Sequence, residues 1–317
     1  MEYRKLISFG KSSFVVSLPK SWINQNKMKK GDLIYLEENG QNLLLSKSDA
    51  KKEEENKTKI INVDGKDMAL IAREVNSAYI LNYRTIILKG KEIKDRIKEI
   101  QEIFQYLIAL EVMEQGTNNI IAKDFLNMEQ VSIEELIRKM DIITRTMIKE
   151  SIESVSVDNY ENINDRDKDV NRLYFLVYRT VLYNLEHLSN ALKRLKMGPC
   201  DLLHSHFIAF YLEGIADETR RTARFARNIK NLKDKTNVTN FLHKIEQYYL
   251  DTLKAYYDRD IESALKISSL KTDYNKELDL IEGKSNDFGV LNVASRIRRM
   301  ISYIHSLGRV IYTGSNY

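Results

Sequence analysis

The residues able to do chemistry fall into three groups. The first lies near the N-terminus, where Arg4, Lys5, Lys11, Lys20, Lys27, Lys29 and Lys30 stand among few acids. Residues 1–48 carry eight Lys and Arg against four Asp and Glu. Such a density of cations suits phosphate contact, which releases counterions as it forms. Ser12 and Ser13, beside Lys11, add hydroxyl donors for phosphate oxygens. A solvated basic surface on a dimerisation domain is the other reading. The second group is two acidic runs, Asp165-Arg166-Asp167-Lys168-Asp169-Val170-Asn171-Arg172 and Tyr211-Leu212-Glu213-Gly214-Ile215-Ala216-Asp217-Glu218. Both fall in helical periodicity, and residues four apart stack on one helix face. Two such faces opposed in a bundle would gather the oxygen ligands that hard cations require. Asp165, Asp167 and Asp169 near a helix start also suit the macrodipole with no ligand at all. The third group, Arg220, Arg221, Arg224 and Arg227, suits phosphate, an acidic partner, DNA or simply a solvated face. His187, His204, His206 and His243 show no metal-ligand spacing with Cys200, and no Cys–His arrangement or Gly-rich phosphate loop is present. No enzymatic activity is expected.

These groups need elements to hold them. At roughly 150 residues per domain, 317 residues make two or three domains. The 43% hydrophobic share supports a real core, and only 2 Pro and 12 Gly favour long uninterrupted helices. A single cysteine rules out a disulfide framework and fits a reducing, cytoplasmic setting. No stretch approaches about 20 apolar residues, so no membrane insertion is expected, and the start, MEYRKLISFGK, lacks a signal peptide's apolar core.

Residues 1–48 form a β-rich domain with strands at Tyr3–Ser8, Phe14–Leu18, Leu33–Glu37 and Leu43–Ser46. Gly10-Lys11 and Asn39-Gly40 make turns, Lys20–Asn26 one or two helical turns, and Trp22 is a core anchor. Such a segment buries too little core alone and is expected to dimerise. The charge run Lys51–Lys57 reads as a linker. Residues 58–127 alternate as a small α/β module: strand Lys59–Val63, helix Asp67–Leu81, strand Thr85–Leu88, helix Glu92–Leu107, then a hairpin of Glu111–Met113 and Ile120–Lys123. Residues 132–313 are all helical, with helices at Ser132–Ser156, Glu161–Leu195, Pro199–Asn228, Val238–Tyr257, Asp260–Glu282 and Leu291–Ile311. Short loops make neighbours antiparallel, and the order of acidic and Arg-rich helices hints at two three-helix repeats.

Two family resemblances sharpen this picture. The run Arg4-Lys5-Leu6-Ile7-Ser8-Phe9-Gly10-Lys11-Ser12-Ser13-Phe14-Val15-Val16-Ser17-Leu18-Pro19-Lys20-Ser21-Trp22, followed by Lys29-Lys30-Gly31-Asp32-Leu33, resembles the SpoVT/AbrB swapped-hairpin DNA-binding domain. The resemblance implies an interdigitated homodimer with Arg4, Lys5, Lys11, Ser12, Ser13 and Lys20 facing DNA. The two acidic runs resemble the PhoU family, whose helices carry Glu/Asp-x-x-x-Asp motifs that bind metal ions. That family takes part in sensing and regulating phosphate uptake. The resemblance spans about Ser132 to Tyr312 and makes the C-terminal half a PhoU-like bundle.

In the PhoU register the motif pairs fall on Asp167 with Asn171 and on Glu213 with Asp217, a candidate set for a divalent or trivalent metal ion. Asn171 departs from the pattern and loses a charge; Asp165 and Asp169 are a further pair that could substitute. In the second repeat Asp273 and Glu277 stand in the first motif, but Arg298 and Ser302 replace the next acidic pair, so one site at most is expected. The combination resembles archaeal PhoU-like phosphate uptake regulators. It implies a cytoplasmic DNA-binding transcription regulator of phosphate or metal homeostasis with a helical sensor body. The alternative is a PhoU-like interaction protein that does not bind DNA and regulates phosphate-transport components.

Overall fold

The structure, a computed structural model, describes residues 3–39, 42–47, 57–188 and 191–314. The chain divides into two units, Met1–Asn56 and Lys57–Tyr317. Most of the charge run at 51–57 and Gly40 of the expected Asn39-Gly40 turn lie outside the described residues.

The first unit is two antiparallel hairpins around a short helix. Strand β1 (Ile7–Phe9) pairs with β2 (Ser13–Val15), Ile7 opposite Val15, across a turn where Gly10 takes φ +71°. The left-handed region is open to glycine without a Cβ clash, so the sequence breaks the strand there. Helix α1 (Lys20–Gln25) begins after Pro19, and β3 (Tyr35–Asn39) pairs with β4 (Asn42–Ser46). The first two strands, of three residues each, are shorter than their sequence pattern indicates. Among its described residues only Met28 is buried; Ile7, Phe9, Phe14, Leu36, Leu43 and Leu44 are exposed, and Trp22 is half-buried.

The second unit begins with a four-stranded sheet in the order β5-β6-β8-β7, with β5 (Thr58–Asn62), β6 (Thr85–Lys89), β7 (Leu110–Gln115) and β8 (Asn119–Asp124). Strands β5 and β6 run parallel through the crossover helix α2 (Met68–Ile80), whose Asp67 carboxylate accepts from Leu70 N at 2.6 Å. The expected helix Glu92–Leu107 is instead a 3-10 turn (Lys91–Asp95) followed by α3 (Ile97–Gln105). Arg96 breaks it by leaving helical geometry, and its guanidinium donates to Lys66 O at 2.7 Å. Ile61, Val63, Ile71, Tyr79, Ile86, Leu88, Ile100 and Phe104 make the core of this part.

Helices α4 (Ile133–Glu153), α5 (Tyr160–Glu186), α6 (Pro199–Ala226), α7 (Leu232–Asp258), α8 (Ile261–Ser269), α9 (Lys271–Glu282) and α10 (Phe288–Thr313) follow. Ser132, Asn231, Asp260 and Asp287 each accept a backbone N–H at a helix start, which replaces the bond the first turn lacks. Pro199 opens α6 with Gly198 and Asp201 in a capping arrangement. Two expected helices are shorter or split. The second ends at Glu186, where His187 adopts φ −122° and its ring meets Tyr183 O at 2.8 Å. The fifth divides at Leu270, next to Ser269, whose hydroxyl donates to Lys266 O at 2.7 Å. Helix α6 packs against α4, α5 and α10. It approaches α10 closely because Gly214 faces the Tyr303 ring, where a Cβ would stand only 3.0 Å away. Asp141 of α4 accepts from Tyr249 and Tyr257 of α7 at 2.8 and 2.9 Å, and so ties the two halves of the bundle together.

The α/β part is joined to the bundle by a buried ion pair. Arg179 of α5 is completely buried, donates to Asp124 Oδ1 at 3.2 Å and to Asn82 Oδ1 at 2.8 Å, and lies over the Tyr79 ring at 4.5 Å. Asn82 in turn donates to Arg179 O at 3.3 Å, and Arg84 reaches the same Asp124 carboxylate. Removing one partner leaves a buried charge uncompensated, so Arg179→Met is expected to lower unfolding free energy by about 3–5 kcal/mol in urea. The double variant Arg179→Met/Asp124→Leu should cost less than the two single changes added. Equal additive losses would show that the pair is not the joint.

Candidate functional site

The basic residues of the first unit gather on its hairpin and the start of its helix. Arg4 and Lys5 lead into β1, Lys11 and Ser12 occupy the β1–β2 turn, Ser13 opens β2 and Lys20 opens α1. All six are exposed. Lys5, Lys11 and Lys20 form no ion pair with an acid among the described residues, so their charge is available to an external anion.

The acidic candidates lie on α5 and α6, which pack together. Asp167 is buried, and burial raises its pKa against the opposing pull of Arg220. Arg220 Nε stands 2.9 Å from Asp167 Oδ2, and Arg220 also binds Asp217 at 2.7 Å. Arg221 takes the other Asp217 oxygen at 2.8 Å. Asn171 turns its amide back to Asp167 O at 3.2 Å, within its own helix. Asp167 Oδ1 is buried with no hydrogen-bond partner. Glu213 has neither hydrogen bond nor ion pair among the described residues. Burial, then Asp217 and Asp167, push its carboxyl up to about 7. Tyr106, just after α3, and Tyr174 of α5 lie close enough to feel this charge, and both hydroxyls are pushed up to about 12, chiefly by burial.

Among the described residues, no three His, Cys, Asp or Glu side chains are gathered closely enough to hold a metal ion. The orphan oxygen of Asp167 is a ligand atom without a ligand, but the positive charge between Asp167 and Asp217 is a guanidinium. As positioned, these donors do not fit a metal. In the second half, Arg298 binds Asp279 and Glu282 of α9 at 2.9 and 2.7 Å, while Asp273 pairs with Lys276 and Glu277 with Lys244. The Arg-rich run is largely committed: Arg227 binds Asp158 at 3.1 Å, and Arg224 alone of the four is exposed without an ion pair among the described residues.

Sequence reasoning placed Arg220 on a charged run and missed its role between two acids. The i,i+3 spacing from Asp217 was the available signal; its reach to Asp167 across the helix interface had none. Tyr106 was likewise invisible, since a different part of the fold delivers it.

Residues 137–226 match the PhoU domain family. The match runs from within α4 to the last residue of α6 and so contains Asp167, Asn171, Glu213 and Asp217. Helices α7 to α10 lie beyond it, where the sequence already departs at Arg298 and Ser302. No curated protein and no solved structure matches the chain. Among the described residues, no helix is long and apolar enough to cross a membrane.

Glu213 holds its proton more tightly folded than unfolded, so its contribution to stability is complete below the ordinary value of 4.5 and is lost as pH rises to about 7. Unfolding free energy in urea should therefore fall by ~2 kcal/mol across this window, and Glu213→Gln should remove most of that fall. An unchanged pH slope in the variant would place the titration elsewhere.

Proposed function

We propose that the protein is a DNA-binding regulator of phosphate homeostasis, with the first unit as a homodimeric DNA-binding head and the helical unit as its sensor body. The observation that carries this reading is the PhoU match over 137–226 in a chain whose first unit exposes Lys5 and Lys11 on a hairpin and Lys20 at a helix start, without an ion pair among the described residues. Exposed Ile7, Phe9, Phe14, Leu36, Leu43 and Leu44, with a single buried side chain among the described residues, support a head that completes its core with a second copy. Lysines on a turn, with no recognition helix, suit phosphate-backbone contact more than base reading.

In the same reading Arg220 takes the place that a metal ion would occupy between Asp167 and Asp217. A second reading, a protein that regulates phosphate-transport components without binding DNA, is favoured by one feature. Leu203, Phe207 and Phe210 form an exposed apolar stripe on α6, as a docking partner would need.

Gel shifts of the full chain against promoters of phosphate-uptake genes test the first reading. Binding should weaken with salt at a log–log slope of roughly −0.9 per neutralised phosphate. Arg4→Ala/Lys5→Ala/Lys11→Ala should weaken it at least about tenfold on all sequences. Absence of DNA binding in the parent protein would turn the assignment to the second reading. Metal analysis of protein purified without chelator is expected to find less than one ion per chain. Stoichiometric metal that disappears with Glu213→Ala/Asp217→Ala would show that a metal displaces Arg220.

A further inference from the structure

Beyond the acids and Arg220, a second cluster of arginines stands where α6 meets α10. Glu218 of α6 is buried, and three guanidiniums converge on it. Arg221 and Arg299 each come within 3.5 Å of Oε1, and Arg296 within 3.6 Å of Oε2. These separations are longer than a good charged hydrogen bond, which lies near 2.7–2.9 Å. None of the three makes a two-pronged fork with the carboxylate. Glu218 Oε2 and Arg296 Nε are buried with no hydrogen-bond partner at all.

Charge at this point is out of balance. Asp167 and Asp217 are matched by Arg220 and Arg221, which leaves Glu218 alone to face Arg296 and Arg299. Arg224, one helical turn beyond Arg221, adds a further exposed cation. Arg296 is held in place by Phe225, whose ring lies 5.8 Å from its guanidinium. The Arg299 side chain is 58% exposed and that of Arg221 38%, so the cluster opens to solvent rather than closing on itself. Glu218 acts as an anchor that gathers the arginines from two helices without saturating them. Arg296 and Arg299, which hold Glu218 only loosely, converge with Arg221, already engaged by Asp217, on one region, and planar guanidiniums so placed match a tetrahedral oxyanion.

We propose that the arginine cluster where α6 meets α10, formed by Arg221, Arg296 and Arg299, binds a phosphoryl oxyanion, as free inorganic phosphate or as the terminal phosphoryl group of a nucleotide. The site rests on the side-chain geometry; the choice of phosphate over other oxyanions rests on the phosphate-regulator reading. The cluster uses α10, which lies outside the matched 137–226 segment, and needs no metal.

Calorimetric titration of the full chain with inorganic phosphate, ATP and sulfate at constant ionic strength tests this. One phosphate or one ATP should bind per chain, more tightly than sulfate; the tighter of the two identifies the source of the phosphoryl group. Arg299→Gln, an exposed position that should fold normally, is expected to weaken binding at least about tenfold. Glu218→Gln removes the competing negative charge and should tighten binding several-fold, a change that a purely structural cluster would not produce. The proposal is overturned by an absence of phosphate and ATP binding in both the parent and Glu218→Gln, or by unchanged affinity in Arg299→Gln. Loss of promoter binding in Arg299→Gln would also overturn it, by making the cluster a DNA surface. If neither phosphate nor ATP binds while the parent still binds promoter DNA, the site is wrong and the regulator reading stands.

Discussion

The buried contact of Arg179 with Asp124 and Asn82 is the constraint on which the arrangement of the larger unit depends. A guanidinium with no access to water is tolerable only if its N–H groups are satisfied and its charge is matched. Asp124 supplies the charge from the end of β8, Asn82 supplies an acceptor from the loop after α2, and Tyr79 supplies an aromatic face. All three partners belong to the α/β part and Arg179 to the bundle. The contact therefore fixes where α2 and α3 sit against α5, and so where Tyr106 reaches the acids of α5 and α6.

Electrostatics inside the bundle follows one rule with two outcomes. Where an arginine can reach two carboxylates, as Arg220 does, it bridges them and opposes the upward push of burial on Asp167. Where burial and two neighbouring acids outweigh the more distant pull of Arg221 and Arg220, as at Glu213, the carboxyl keeps its proton to near neutrality. Four residues along α6 thus separate a paired acid from an unpaired one. The same helix then presents Glu218 to arginines that outnumber it. Its polar face runs from proton-holding, through balanced, to cationic within about two turns.

Much of this fold was legible in the sequence, because local signals act over a few residues. Asp67, Ser132, Pro199 and Asp260 mark helix starts by chemistry that needs only the next turn. Gly10 marks the first hairpin in the same way. The breaks at His187 and Leu270 were not legible. At both, helical periodicity continues through the break, so periodicity alone does not register it. The acids of the candidate site could be placed on helix faces from their spacing and from the PhoU resemblance. Their partners could not, since Asp167 meets Arg220 only across a helix interface. Arg179 and Asp124 are 55 residues apart and carry no mutual signal of any kind.

The absence of a side chain at Gly214 has reach beyond its own contact. It lets the Tyr303 ring lie on the α6 backbone and so sets how near α10 comes. Arg299 is one helical turn from Tyr303, and Glu218 is one turn from Gly214, so the spacing set at one level is inherited at the next. A methyl group at 214 would wedge the helices apart and lengthen the reach from Arg296 and Arg299 to Glu218. A side chain at 214 therefore needs a smaller one at 303 to keep the present spacing. A lineage that enlarged one without shrinking the other would forfeit the arginine cluster while leaving every arginine in its sequence.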